Sequence, residues 1–350
     1  MTGEPGSRGR ELLALDDERL VRAAAGAKAG DVLTAAGNDD PGELRDRLGA
    51  GDCWATCRHC PEYPPALHDL DREAPAALMG RGDPALLARL AEDPGVTVVG
   101  SRRGSAYGRG VARELGRMLA ASGLPVISGL ALGIDTAAHR GAIEGGGATI
   151  AVLGSGPDRA YPPSNRRLYA RIAEEGGVVI SELPPGTGAF RWTFPARNRV
   201  MAALGAMTVV VEAAERSGSL ITVGFAQDLG RAVGAVPGPV NSWLSDGANA
   251  LLADGAVVVR GAEDVLDHLL GPGARTLPAA AGPELDETLA TALAAVEGGR
   301  ASLDEVAGGL GGDAGAAATA LARLELLGYV ASDVTGAYTR TTLGRPGAPS

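Results

Sequence analysis

Between residues 96 and 270, short apolar runs rich in β-branched residues alternate with alanine-rich stretches of helical character. The runs predict strands at 96–100, 125–128, 149–153, 178–181, 207–212, 232–236 and 256–259. Helices are expected at 107–121, 134–144, 166–175, 198–204, 220–229, 248–254 and 262–269. A strand that is apolar throughout has to be covered on both faces, and a helix after each strand supplies the cover. The pattern therefore predicts an α/β fold with a parallel sheet.

The flanks follow other periods. From residue 11 to about 51, apolar positions such as Leu12, Leu13, Leu15, Leu20 and Val21 recur at helical spacing, and Gly49 closes the last helix. Residues 1–60 are expected to form a small helical domain of the SAM-like kind. Prolines 61, 64, 65 and 75 make 61–82 read as an extended connector that packs along the next domain. A Pro/Gly/Ala linker follows the sheet at 271–283. Beyond it, 284–296, 303–308 and 314–327 read as helices, and 329–331 with 337–340 as a hairpin. Three helices and a two-stranded wing predict a winged-helix domain over 284–345. Its third helix carries a single arginine, Arg323, too little for reading base edges. A protein-interaction or structural role suits it better.

Composition narrows the function classes. The 350 residues are 45% hydrophobic and 21% charged, as in an ordinary globular protein. No run of about 18 apolar residues suggests a membrane span, and the N-terminus lacks a signal-peptide core. The chain is expected to be cytoplasmic. A net charge of -10 argues against broad affinity for nucleic acid, although binding depends on where positive charge sits. Cys53, Cys57 and Cys60, beside His59, have a spacing that could supply zinc ligands, but no second ligand pair follows. We expect no metal and no cofactor.

Against that acidic background one stretch stands out. Arg191-Trp192-Thr193-Phe194-Pro195-Ala196-Arg197-Asn198-Arg199 gathers three arginines and two aromatic rings in a chain with 3% aromatics. It is expected to be a loop, with only a short helix from 198. Arginines hold phosphates and rings stack on bases, so the mixture suggests a nucleic-acid strand. A surface loop with its rings on the core and its arginines paired to acids is the other reading.

The strand ends add candidates. After the first strand, Gly100-Ser101-Arg102-Arg103-Gly104-Ser105 opens a helix. Ser217-Gly218-Ser219 opens another after the 207–212 strand. Small residues at a helix start can cradle an anion through N–H groups and hydroxyls, or can simply cap the helix. Neither is a dinucleotide fingerprint nor a Walker A loop. Asp135 suits a helix cap, and His139 could serve as a base or sit in the core.

In order and approximate spacing, VGSR at 99–102, SGLALGID at 128–135 with His139, FPARNR at 194–199 and SGSLIT at 217–222 resemble the DprA/Smf family of bacterial DNA-processing proteins. The resemblance implies an extended Rossmann-like core over 61–270 that binds single-stranded DNA and dimerises. It also implies loading of the RecA recombinase and displacement of single-strand-binding protein during natural transformation, without enzymatic chemistry. Carried over by motif, the implied DNA-binding residues are Ser101, Arg102, Arg191, Phe194, Arg197, Arg199, Ser217, Gly218 and Ser219. Arg197 and Arg199 could instead be tied into the fold. The cysteine cluster matches nothing in the family pattern. A related Rossmann variant belongs to phosphoribohydrolase-like nucleotide-cleaving enzymes, whose P-G-G-x-G-T-x-x-E signature is replaced here by SGSLIT.

Overall fold

In the computed structural model, residues 41–273, 285–333 and 336–340 are described. The helical pattern expected over 11–40 lies outside them. The chain divides into two compact units between Cys53 and Trp54. In the first unit, helix α1 spans Pro41–Ala50.

The second unit begins with strand β1, Trp54–Cys57, followed by a 3-10 segment at Pro65–Glu73, strand β2 at Ala77–Gly82 and helix α2 at Ala85–Arg89. The alternating part then runs β3 Gly95–Val99, α3 Ala106–Ala121, β4 Val126–Ser128, α4 Ile134–Glu144 and β5 Thr149–Val152. It continues α5 Arg166–Glu174, β6 Val178–Ser181, α6 Thr193–Leu204 and β7 Gly205–Val210. The last members are α7 Ser219–Asp228, β8 Ala232–Ala235, α8 Asp246–Ala253, β9 Val257–Val258 and α9 Ala262–Leu270.

One sheet holds nine strands in the order β1-β2-β6-β5-β4-β3-β7-β8-β9. From β6 to β9 all pairs are parallel. Buried strand residues such as Val96, Val98, Ile127, Ile150, Val179 and Val209 pack under helices on both faces. Each such side chain contributes about 1.5–3 kcal/mol by leaving water.

Two expectations fail at the edge. The 61–82 connector contains β2, and β1 lies inside the range assigned to the N-terminal helical domain. Both strands join the sheet, with β2 antiparallel to β1 and to β6. The sequence Ala-Leu-Met-Gly-Arg-Gly has no β-branched residue and two glycines, so its strand propensity is poor. Main-chain pairing of Met79 with Ser181 and Gly80 with Ile180 decides its state instead. Gly80 is required there, because a Cβ would lie 2.3 Å from the Trp54 ring.

Helices α3 and α4 lie so close that a Cβ on Gly141 would come within 1.8 Å of the Arg113 carbonyl oxygen. Arg113 then pairs with Glu144 across the same contact at 2.6 and 2.7 Å.

Residues 285–333 and 336–340 form their own core. Helices α10 Glu287–Glu297, α11 Leu303–Gly309 and α12 Ala314–Leu326 bury Leu293, Val306, Leu321 and Tyr329. Strands β10 Val330–Ser332 and β11 Tyr338–Arg340 pair antiparallel. Asp286, Ser302 and Asp313 cap the three helices through their side chains.

Candidate nucleic-acid interface

The chain winds from β3 outward to β6 and then returns to place β7 on the other side of β3. That reversal is a topological switch point, where loops from neighbouring strand ends diverge and leave a crevice. A cavity of about 610 Å³ occupies it. Its lining includes Ser101 and Arg102 after β3, Arg191, Phe194 and Arg197 around the start of α6, and Ser217, Gly218 and Ser219 before α7. A smaller cavity of about 110 Å³ shares Arg102, Tyr161, Phe194 and Arg197 with it.

The expected loop at 191–199 is mostly helix. α6 begins at Thr193, five residues before the expected start. Pro195 sits in the first turn, where its missing N–H costs nothing. The Thr193 hydroxyl lies 2.6 Å from the Gly154 carbonyl and accepts the Phe190 N–H at 3.2 Å, which fastens the turn below Arg191 and Trp192. Helical geometry then separates the arginines by role. Arg191, ahead of the helix, is exposed. Arg197, on the inner face, is 7% exposed, and its Nη1 donates to the carbonyls of Gly129 and Val152. Burial pulls this guanidinium down to about 10, opposed by the nearby Asp135 carboxylate. Arg197 still counts among the residues that line the cavity.

Arg199 corrects the expectation outright. Its Nη2 donates to Glu182 at 2.9 Å, its Nη1 to the same carboxylate at 2.5 Å, and its Nε to the Glu73 carbonyl at 2.9 Å. It is absent from the cavity lining and belongs to the scaffold.

The two small-residue loops also part company. At the start of α3, the Ser105 N–H and hydroxyl both go to the buried Glu212 carboxylate, at 2.8 and 2.5 Å. Gly108 N–H goes to Ser105 Oγ, Ser101 N–H to Glu212 O, and Arg103 N–H to Ser101 Oγ. Glu212 therefore fills the place an anion would take, and the backbone cradle expected at 100–105 is closed. Ser101 and the exposed Arg102 side chain are what that loop offers to the cavity. At α7 no distant carboxylate among the described residues fills the turn: Ser219 N–H and Oγ meet Ser217 Oγ at 3.3 and 2.7 Å, and these residues line the cavity directly. Asn198 Nδ2 donates to Gly218 O at 3.3 Å and ties this loop to α6.

Aromatic groups complete the wall. The Phe194 ring tilts against Tyr161 with centroids 5.3 Å apart, and the Arg102 guanidinium lies 5.2 Å from the Phe194 centroid. Tyr161, 42% exposed, is a cavity residue that motif reading missed as a contact. The available signal was a tyrosine before proline in a polar loop. Phe190 and Trp192 stack parallel on each other, both exposed, with centroids 6.4 Å apart. Three arginines face one carboxylate, Asp135, in the lining, so the cavity is locally basic in an acidic chain. Asp135 accepts the N–H groups of Gly129 and Ala131 at 3.1 and 3.3 Å, and burial raises its pKa. Leu130 between them holds a left-handed backbone (φ 57°), which lets one turn serve Asp135 and Arg197 together.

His139 is a core residue. It is fully buried, with Nδ1 2.7 Å from the Thr149 hydroxyl. Burial first, and the charge of Arg197 second, push its pKa from 6.5 down to about 3. The folded imidazole stays neutral while the unfolded one protonates, so its contribution is intact above 6.5 and lost as pH falls towards 3. Between about pH 7 and pH 5 the wild type should lose about 2 kcal/mol more than His139→Gln. Urea unfolding of both proteins at the two pH values checks this, and parallel losses would refute it.

Among the described residues, no three His, Cys, Asp or Glu side chains gather as a metal site, and no helix is long and apolar enough to cross a membrane.

Strand order and the cavity at the reversal define the class: an open, mainly parallel α/β sheet with a ligand cleft at its switch point. A family model described as DNA recombination-mediator protein A matches residues 54–270, and the chain belongs to that family. It is 44% identical over 219 residues to a putative DNA processing protein DprA of Mycobacterium tuberculosis, covering 61% of this chain and 56% of that one. Protein Smf of Escherichia coli is 37% identical over 286 residues, 79% of this chain and 75% of that one. The chain thus spans little more than half the length of the mycobacterial relative. The crystal structure of DNA processing protein A from Streptococcus pneumoniae superposes with a TM-score of 0.66 at 35% identity, covering 74% of this chain and 89% of that one. A second, from Helicobacter pylori, has a TM-score of 0.55 at 29% identity, covering 62% and 95%. That protein is described as having a unique single-stranded DNA binding mode.

Proposed function

We propose that the switch-point cavity holds a segment of single-stranded DNA. The observation that carries this reading is the convergence of three sequence-distant motifs, at 100–102, 191–198 and 217–222, on one basic and aromatic cavity. Arg102, Arg191 and the Ser217–Ser219 loop bind phosphates, and Phe194, backed by Tyr161, meets a base. The protein then acts without catalysis, as a mediator. It shields an incoming strand, takes it over from single-strand-binding protein and passes it to the RecA recombinase during DNA uptake. It works as a homodimer, and the winged-helix domain at 284–345 serves partners. The described relative that binds single-stranded DNA and the family description both support this assignment.

Fluorescence anisotropy with single-stranded and duplex oligonucleotides of one length tests it. Preference for the single strand, weakening steeply with salt, is expected. Equal affinity for both, or release of free base from a nucleoside monophosphate, would overturn it. Arg191→Ala should weaken binding and lower the slope of log K against log salt by about 0.7, the value for one single-strand phosphate contact. An unchanged slope would remove Arg191 from the phosphate track.

A further inference from the structure

Away from the cavity, β1 ends at Cys57, and Arg58, His59 and Cys60 form the turn that follows. The chain turns tightly here, with the Cys60 N–H donating to Cys57 O at 2.8 Å. The Cys57 N–H points back to Cys60 Sγ at 3.4 Å, and the two sulfurs lie 2.8 Å apart. Both thiols are reduced and partly exposed. A pair of sulfurs in contact, reachable from solvent and held by one turn, needs little movement to join. The hydrogen bond from Cys60, with the His59 main chain next, lowers the Cys57 pKa and favours its thiolate, the reactive form.

We propose that Cys57 and Cys60 are a reversible thiol–disulfide pair, oxidised by hydrogen peroxide and restored by a dithiol reductant. The Cys57 thiolate attacks one peroxide oxygen. An S–O bond forms, the O–O bond breaks, and the departing hydroxide takes up a proton. The Cys60 sulfur then attacks Cys57 sulfur. The S–S bond forms, the S–O bond breaks, and the hydroxyl leaves as water with the proton of Cys60. Two thiols lose two electrons and two protons, and one peroxide becomes two waters. Reduction by a dithiol reverses the bridge through a mixed disulfide.

The pair follows the outermost strand, level with the carboxyl end of β6. Cys57 is opposite Ala77 on β2, and Met79 of β2 is opposite Ser181 at the end of β6. Next to Ser181, Glu182 holds Arg199 of α6. Tyr63, whose hydroxyl donates to Pro75 O at 2.7 Å, feels the charges of both Arg58 and Arg199. Oxidation would therefore act beside the support of the arginine helix.

Peptide mapping of the full chain tests the pair. The protein is treated with hydrogen peroxide, its remaining thiols are alkylated, and it is cut with trypsin. Trypsin cleaves after Arg58, so a bridge joins two peptides, one ending at Arg58 and one beginning at His59. The expected result is that joined species, lost on treatment with dithiothreitol and retained in Cys53→Ser. In Cys60→Ser, Cys57 should instead be trapped as a sulfenic acid by dimedone. Alkylation of both thiols after peroxide would overturn the proposal, as would a bridge that disappears in Cys53→Ser. Stoichiometric zinc bound to the untreated protein and protecting both thiols would overturn it as well.

Discussion

Phe194→Ala is expected to weaken single-stranded oligonucleotide binding roughly 5- to 150-fold, the range of about 1–3 kcal/mol for a lost base–aromatic stack. The ring is placed for this by the first turn of α6. Thr193 pins that turn from below, Tyr161 supports one side of the ring, and the Arg102 guanidinium lies 5.2 Å from its centroid. Truncation removes the base platform and also the surface against which Arg102 rests, so a phosphate contact loosens with it. Phe194→Tyr keeps the π-face and should bind within a few-fold of wild type. Trp192→Ala should cost less than Phe194→Ala, because Trp192 stacks on Phe190 and does not line the cavity. Anisotropy titrations of the three variants at one salt concentration decide this. Wild-type affinity in a folded Phe194→Ala protein would sink the assignment of the ring.

Arg197→Met should lower stability by several kcal/mol. Loss of the guanidinium leaves two buried main-chain carbonyls, Gly129 O and Val152 O, without their donor, at about 1–3 kcal/mol each. It also strips the buried Asp135 of its strongest compensating charge. Gly129 shows how closely the site is built around this side chain, since a Cβ there would meet Arg197 Nη2 at 2.2 Å. For a core of this size the loss corresponds to a Tm fall of roughly 5–15 °C. Arg199→Ala removes a partly exposed ion pair with Glu182 and should cost about 1 kcal/mol or less. Thermal unfolding of the two variants side by side gives the comparison. A Tm for Arg197→Met equal to that of Arg199→Ala would show that the buried guanidinium is not a structural pillar.

Much of the parallel sheet was legible because its signal is local. Apolar runs at 149–152 and 178–181 can hardly be anything but buried strands, and α4 occupies the expected residues 134–144. β1 and β2 were not legible, because four and six residues of mixed character become strands only when β6 offers its edge. The start of α6 was misplaced for a related reason. Arg-Trp-Thr-Phe-Pro reads as a loop until Thr193 finds Gly154, thirty-nine residues away.

The candidate site divides along the same line. Which residue types could bind a polynucleotide was written in the chain: Arg102, Arg191, Phe194 and Ser217–Ser219 are motif residues, and all of them line the cavity. Which of them are available was not. Glu212 lies more than a hundred residues from Ser105, yet its carboxylate closes the helix start that composition marked as an anion cradle. Arg197 and Arg199 are two residues apart and chemically alike. A helix turns by about 100° per residue, so the two face opposite partners, one the main chain beneath the cavity and the other Glu182 and Glu73. By itself the sequence determined the strands, the family motifs and the inventory of charges and rings. Tertiary packing alone decided which donors the fold consumes and which remain for a ligand, because hydrogen bonds across long loops saturate a group without leaving any mark on its neighbours in the chain.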